Sequence, residues 1–194
     1  MEPWNKDFWN DLYKVGDNGW DIGYISPPLE KYFKRMSDKS AGILIPGCGN
    51  AHEGEYLINN GFENTWILDW SPMAVQGFQN RVPIFPKDQV ICCDFFAHCG
   101  SYDFIFEQTF FCAIDPELRE KYVSHVHQLL KPAGKLVGLL FNDPLNVDHP
   151  PFGGSEKEYR TLFQNHFKFL NFSNCYNSIE PRRDREFFIN FEKK

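Results

Sequence analysis

The stretch Ile43-Leu44-Ile45-Pro46-Gly47-Cys48-Gly49-Asn50-Ala51-His52-Glu53 constrains this chain more than any other. An apolar run that reads as a strand enters a turn pivoting on two glycines and leaves it as a helix. About twenty residues beyond Gly49, a second apolar run, Trp66-Ile67-Leu68, ends in Asp69. In an α/β protein this order sets a glycine turn, which lets backbone approach a ligand closely, beside an acid that can accept hydrogen bonds from ribose hydroxyls. The pattern predicts a cofactor containing adenosine.

The rest of the chain keeps the same alternation. Strands are expected at 42–46, 65–69, 90–93, 102–106 and 135–141. Helices are expected at 52–60 (stopped by Gly61), after Ser71-Pro72, from Asp115-Pro116-Glu117 to about 130, and from Ser155 toward Asn165. Lys131-Pro132-Ala133-Gly134 reads as the break between the third of these helices and the fifth strand. Two last strands, near 168–176 and 186–192, are joined by a short loop and should form a hairpin. The expected fold is a three-layer, Rossmann-like α/β architecture with a seven-stranded, mostly parallel sheet and an antiparallel edge strand. The first forty residues differ: Trp4, Phe8, Trp9, Tyr13, Trp20 and Tyr24 crowd a polar, glycine-dotted segment. That segment fits neither a strand nor one amphipathic helix along its whole length. It is expected to lie over the core as a lid, with a short helix near Pro28–Met36. Residues 1–194 are then one domain, an arm over 1–40 and a core over 41–194.

Size and charge narrow the function. A chain of 194 residues is long enough to bury roughly seventy per cent of its unfolded surface. A formal charge of −6 and a pI near 5.5 argue against a nucleic-acid partner, whose binding surface is basic. The cluster Arg182, Arg183 and Arg185 reads as solvated charge near a turn. None of the six cysteines sits in a C-x-x-C pair, so no metal site is expected. No signal-like segment and no apolar stretch of membrane-spanning length is seen, and a reducing cytoplasm is the expected location.

In an open parallel sheet the ligand lies beyond the carboxyl ends of the strands. The candidates are therefore Pro46 to Asn50, Asp69-Trp70, Asp94-Phe95 and Glu107 to Phe111. Each acid alone could be a turn or cap residue; two acids at successive strand tips beside a glycine turn favour a ligand. The turn departs from the dinucleotide fingerprint, because Ala51 and His52 stand where a third glycine belongs. That glycine permits tight helix–strand packing ahead of the helix end that takes a pyrophosphate. A cofactor with adenosine but no phosphate, such as S-adenosylmethionine, fits better than NAD.

Here the chain resembles a known family. Leu44 to Gly49, Leu68-Asp69, Asp103 to Glu107, and Phe110-Phe111-Cys112-Ala113-Ile114-Asp115-Pro116-Glu117 are similar to segments of the thiopurine methyltransferase superfamily of S-adenosylmethionine-dependent enzymes. The nearer resemblance is to its thiol and halide methyltransferase branch. Phe8-Trp9 and Trp20-Asp21-Ile22-Gly23 match the family's aromatic arm, and Leu129 to Gly134 and Pro150-Pro151-Phe152 match later segments. The resemblance implies a class I methyltransferase fold, S-adenosylmethionine as cofactor, S-adenosylhomocysteine as product, and a monomer. It also implies individual roles. Gly47 and Gly49 pass beneath the methionine part of the cofactor. Asp69 holds the ribose hydroxyls, with Trp70 beside the adenine. Asp94 accepts from the adenine amino group, with Phe95 flanking it. Trp9 and Trp20 close the site, and Glu107 lies near the amino-acid end.

The acceptor is expected to be a small molecule, in a pocket walled by Trp20, Tyr24, Phe110, Phe111 and the 142–154 loop, with Asp143 and His149 as polar candidates. Thiopurine-methylating members carry arginine and glycine after the acid at the fourth strand's end, where this chain has Gln108 and Thr109. That departure favours a small, soft nucleophile over an anionic aromatic one. A thiolate or halide needs no strong general base, and no catalytic triad is visible. His125 and His127 cannot share a helix face at their spacing, and His52 reads as a helix-start residue. Three alternatives stay open: a thiopurine or aromatic-thiol methyltransferase, an NAD-dependent oxidoreductase, and a non-catalytic cofactor-binding protein.

Overall fold

A computed structural model describes residues 4–194. Contacts divide the chain into two compact units, one ending at His98 and the other running from Cys99 to Lys194.

In the first unit, strands β1 (Ile43–Pro46), β2 (Thr65–Asp69) and β3 (Val90–Cys92) are parallel, in the order β3-β2-β1. Ile43, Leu44 and Ile45 are all buried, as a strand covered on both faces requires. The arm contains a helix absent from the sequence reading, α1 (Lys6–Val15), ahead of the expected α2 (Pro27–Phe33). The Asn5 side chain caps α1 by accepting from the N–H groups of Asp7 and Phe8. Phe8, Trp9, Leu12 and Tyr13 then share one helical face. Aromatic side chains spaced this way can line a surface without being fully buried, and these four are half-buried. Helices α3 (His52–Asn59) and α4 (Pro72–Arg81) follow β1 and β2. Ser71 caps α4 through the Ala74 N–H, with Pro72 at the first helical position.

Tight packing of α3 comes from an unexpected position. A Cβ added at Gly54 would stand 2.9 Å from Ile67 Cγ2 on β2. The helix-packing glycine is therefore present, two residues beyond where the dinucleotide pattern puts it at His52.

In the second unit, β4 (Tyr102–Gln108) is parallel to β5 (Leu130–Phe141). Strand β7 (Glu186–Lys193) is antiparallel to both β5 and β6 (Phe167–Asn174). The seven-stranded order is β3-β2-β1-β4-β5-β7-β6, so the hairpin makes the edge and β7 is its antiparallel member. Two local expectations change. Lys131–Gly134 does not break the chain but is drawn into β5, with Ala133 at φ +59° and a register slip between Tyr102 and Phe104. The helix expected from Asp115 begins as a 3-10 turn at Pro116–Leu118, and α5 proper covers Arg119–Leu129. Ser155 caps α6 (Glu156–Phe163) through the Glu158 N–H. The core here is aromatic: Phe163 lies 5.3 Å from Phe191 and 5.9 Å from both Phe111 and Phe167, all four fully buried.

Because α3 sits hard against β2, adding bulk at Gly54 must move the helix. Gly54→Val should lower unfolding free energy by about 1–3 kcal/mol in urea denaturation, the range for overpacked sites. An unchanged midpoint would mean that the helix–strand spacing is slack.

Candidate functional site

The first unit collects the cofactor candidates around the turn after β1. Gly47 and Gly49 have φ of +56° and +52°, a region open to glycine and costly for most other residues. Asp69, at the end of β2, closes this turn: its Oδ2 accepts from the Gly49 N–H at 2.8 Å and its Oδ1 from the Ser71 N–H at 2.8 Å. The side chain is 8% exposed. Burial pushes its carboxyl above the usual range, against the opposing pull of the Ser71, Gly49 and Trp70 N–H groups. With those three donors engaged, the carboxylate keeps acceptor capacity for a further one. Trp70 follows, half-buried. Beyond β3, Asp94 caps the 3-10 turn Phe95–Ala97 by accepting from the Phe96 N–H at 2.9 Å, and Phe95 is buried. The Cys93 N–H reaches the Asp69 carbonyl at 3.2 Å, tying the two acid-bearing strand ends together.

The arm brings its aromatics to the same turn. Trp9 packs edge-on against Trp20 at 5.7 Å, and Tyr13 does so at 5.6 Å. Tyr13, which the sequence reading left outside the site, comes nearest the glycines: a Cβ at Gly49 would lie 2.7 Å from its hydroxyl. Burial holds the phenol far above its usual range, and the charge on Asp69 adds to the effect. It is thus a neutral hydroxyl close to a carboxylate. Its sequence signal was its place four residues after Trp9 on one helical face. Tyr24, by contrast, is 53% exposed.

In the second unit, Glu107 is the penultimate residue of β4 and is 1% exposed. Its Oε1 accepts from the N–H groups of Phe110 and Phe111 at 2.8 and 2.9 Å, and its Oε2 accepts from the Tyr122 hydroxyl at 2.8 Å. The carboxylate expected at the cofactor's amino-acid end is thus engaged by its own loop. That loop carries Thr109 at φ +58°, an unusual conformation for a β-branched residue. Burial raises the Glu107 carboxyl to about 7, although the three donors oppose it. Phe111 turns into the core, 5.0 Å from Tyr122, with the Arg119 guanidinium 4.8 Å above its ring. Phe110 is only half-buried. Asp143 braces its loop, accepting from the Leu145 N–H at 3.0 Å and from Arg185 Nε at 2.6 Å. Those two bonds hold its carboxyl below the usual range. His149 is exposed. Among the described residues no helix is long and apolar enough to cross a membrane.

The comparisons agree with one another. The family model described as thiopurine S-methyltransferase (TPMT) matches residues 4–193. A probable thiol methyltransferase 2 from Arabidopsis thaliana is 27% identical over 184 residues, covering 92% of this chain and 81% of that protein. A thiopurine S-methyltransferase from Vibrio cholerae is 27% identical over 176 residues, covering 81% and 80% respectively. Among solved structures, the Burkholderia thailandensis 1,6-didemethyltoxoflavin-N1-methyltransferase with bound 1,6-didemethyltoxoflavin and S-adenosylhomocysteine matches with a TM-score of 0.77 at 16% identity. The match spans 97% of this chain and 87% of that one, and supports the fold alone.

Glu107 makes a pH prediction with a definite sign. Its folded value, about 7, lies above the ordinary 4.5. Folding therefore takes up a proton here wherever the unfolded chain has released it, so this group's contribution to stability falls as pH rises from 4.5 toward 7. The fall is at most about 3 kcal/mol. Glu107→Gln cannot titrate. Urea unfolding at several pH values should therefore show the variant gaining on the native chain across that window. A constant difference would remove Glu107 as the titrating group.

Proposed function

This chain belongs to the thiopurine S-methyltransferase family, and we propose that it moves a methyl group from S-adenosylmethionine to a small, soft nucleophile, a thiol or a halide-like anion, by in-line displacement. The observation that carries the reading is the turn at Gly47–Gly49, fixed to Asp69 and faced by the aromatic arm.

These residues suit S-adenosylmethionine. Of the two left-handed glycines, Gly49 lets the arm's Tyr13 close on the turn with no Cβ between them, and Asp69 keeps acceptor capacity for ribose hydroxyls. Trp70 packs beside the adenine, Asp94 accepts from its amino group, and Phe95 flanks it. Gly47 and Gly49 run under the methionine part. When bound, the cofactor supplies an activated methyl on a sulfonium with a good leaving group. The chain's work is to bind, orient and exclude water. Trp9 and Trp20 present aromatic faces, which attract a sulfonium cation. Glu107 we assign to holding the Phe110–Phe111 turn, since both its oxygens are engaged there.

For the acceptor, Phe110 is the second unit's candidate for an apolar wall, because Phe111 belongs to the core. Asp143 braces its loop and His149 is exposed, so neither is assigned a proton-transfer role. A soft nucleophile needs none. The thiol methyltransferase relative supports this reading. The Vibrio cholerae relative supports a second one, a thiopurine acceptor; Gln108 and Thr109, in place of arginine and glycine, weigh against it. The NAD alternative falls with family membership rather than with the glycine count, since Gly54 supplies the packing the missing glycine would have given.

Calorimetric titration should show S-adenosylhomocysteine binding and NADH not binding, and Asp69→Ala should weaken the former at least about tenfold, the scale of one or two lost charge-assisted hydrogen bonds. Unchanged affinity would take Asp69 out of the site. Product release scored over thiols, halides, thiocyanate and a thiopurine should favour the small acceptors. Turnover of the thiopurine alone would establish the second reading.

A further inference from the structure

The arm meets the glycine turn through one carboxylate that the cofactor assignment leaves without a role. Asp21 follows Trp20, and its side chain is only 16% exposed. Its Oδ1 lies 2.9 Å from His52 Nε2 and accepts from the Gly23 N–H at 2.8 Å. Its Oδ2 accepts from the Asn50 side-chain amide. These two cross-links span 31 and 29 residues and join the arm to both the turn and the start of α3. Burial alone would raise the Asp21 carboxyl, but the bonds from Gly23, Asn50 and His52 prevail and hold it below its usual range. Asn50 is gripped from the other side, since Arg81 donates to its carbonyl and pairs with Glu55.

The arm has another anchor. Asn10 Oδ1 accepts from the Met73 N–H and the Ser71 hydroxyl, both at 3.1 Å, fixing α1 to the start of α4. Breaking the Asp21 bonds would leave that anchor intact. It would loosen the segment between that anchor and the bond from the Ser26 N–H to Glu53 Oε1, a segment that includes Trp20, against which Tyr13 packs above Gly49.

We propose that Asp21 is a positioning residue for the cofactor: it clasps the arm to Asn50 and His52, keeping Trp20 and Tyr13 against the glycine turn, and the clasp must open for the cofactor to leave. The proposal rests on the reading that this turn holds S-adenosylmethionine. It assigns Asp21 to the lifetime of the complex rather than to contact with the cofactor. A general loss of stability would not separate the two rate constants; an unfastened lid does.

The test is stopped-flow tryptophan fluorescence on the full chain, measuring association and dissociation of S-adenosylhomocysteine. Asp21→Ala should speed dissociation about tenfold, the scale of a lost charge-assisted hydrogen bond, with association nearly unchanged. Asp21→Asn retains one acceptor oxygen and should give a smaller increase, roughly threefold. Dissociation at the native rate in Asp21→Ala, together with lost binding in Asp69→Ala, would overturn the clasp and keep the cofactor site. Native binding in both variants would instead overturn the reading of the turn. If Asp21→Ala does not fold, a double variant, Asn50→Ala with His52→Ala, removes the same two cross-links. Faster release from it supports the clasp, and native release overturns it.

Discussion

The Asp69 carboxylate accepts from the backbone of Gly49 through one oxygen and from the backbone of Ser71 through the other, at 2.8 Å each. The first unit is organised around that bridge. It joins the turn after β1 to the residue that caps α4, so two strand-to-helix junctions are fixed by one side chain. Desolvating a carboxylate is expensive unless its acceptor positions are filled, and here backbone donors fill most of them without help from an ion pair. The same acid that stabilises the turn then presents its remaining lone pairs at the sheet's carboxyl end, where a ligand of this fold binds.

Around the bridge the arm supplies what the sheet lacks. Its aromatics form a chain of edge-on contacts from Trp4 through Phe8 and Trp9 to Trp20 and Tyr13. No residue of α1 is fully buried, and its inner face, Tyr13 included, is half-buried, so this element depends on its caps, these edge-on aromatic contacts and a few directed polar ties. Elements held in that way open more easily than a core does. In the second unit the balance is reversed. A dense aromatic core carries β5, β6, β7 and α6, and Glu107 is a buried polar group set beneath the loop of Phe110 and Phe111. Its carboxylate orders Phe110 and Phe111 from inside, at the cost of a raised proton affinity.

Much of this was readable in the chain. The strand at Thr65–Asp69 falls where the apolar run and its terminal acid put it, and Ser71-Pro72 and Ser155 cap the helices they were expected to cap. Local chemistry decides such features. The hairpin of β6 and β7 followed from two strands with no helix between them. Helix α1 was missed because its apolar face is an aromatic surface stripe, and glycines and polar residues dilute the pattern around it. The KPAG segment was read as a break because its residues favour turns, yet pairing with β4 draws it into β5 through a bulge.

At the site, residue identity and residue role separated. Periodicity and the glycine–acid spacing were enough to point to an adenosine cofactor, and the family resemblance to a methyltransferase, because these follow from the order of elements along the chain. Three things needed the folded molecule. Gly54, not a third glycine in the turn, lets α3 approach β2, since only the register of helix against strand says which residue faces Ile67. Phe111 and Glu107 both meet Tyr122, contacts that a place at the end of a strand does not reveal. Tyr13 and Asp21 meet residues more than twenty-five positions away. The sequence by itself determined the glycine turn and the acids at the strand ends, because these are local motifs; tertiary structure decided which side chains meet around them, because side-chain direction is set by packing between elements distant in the chain.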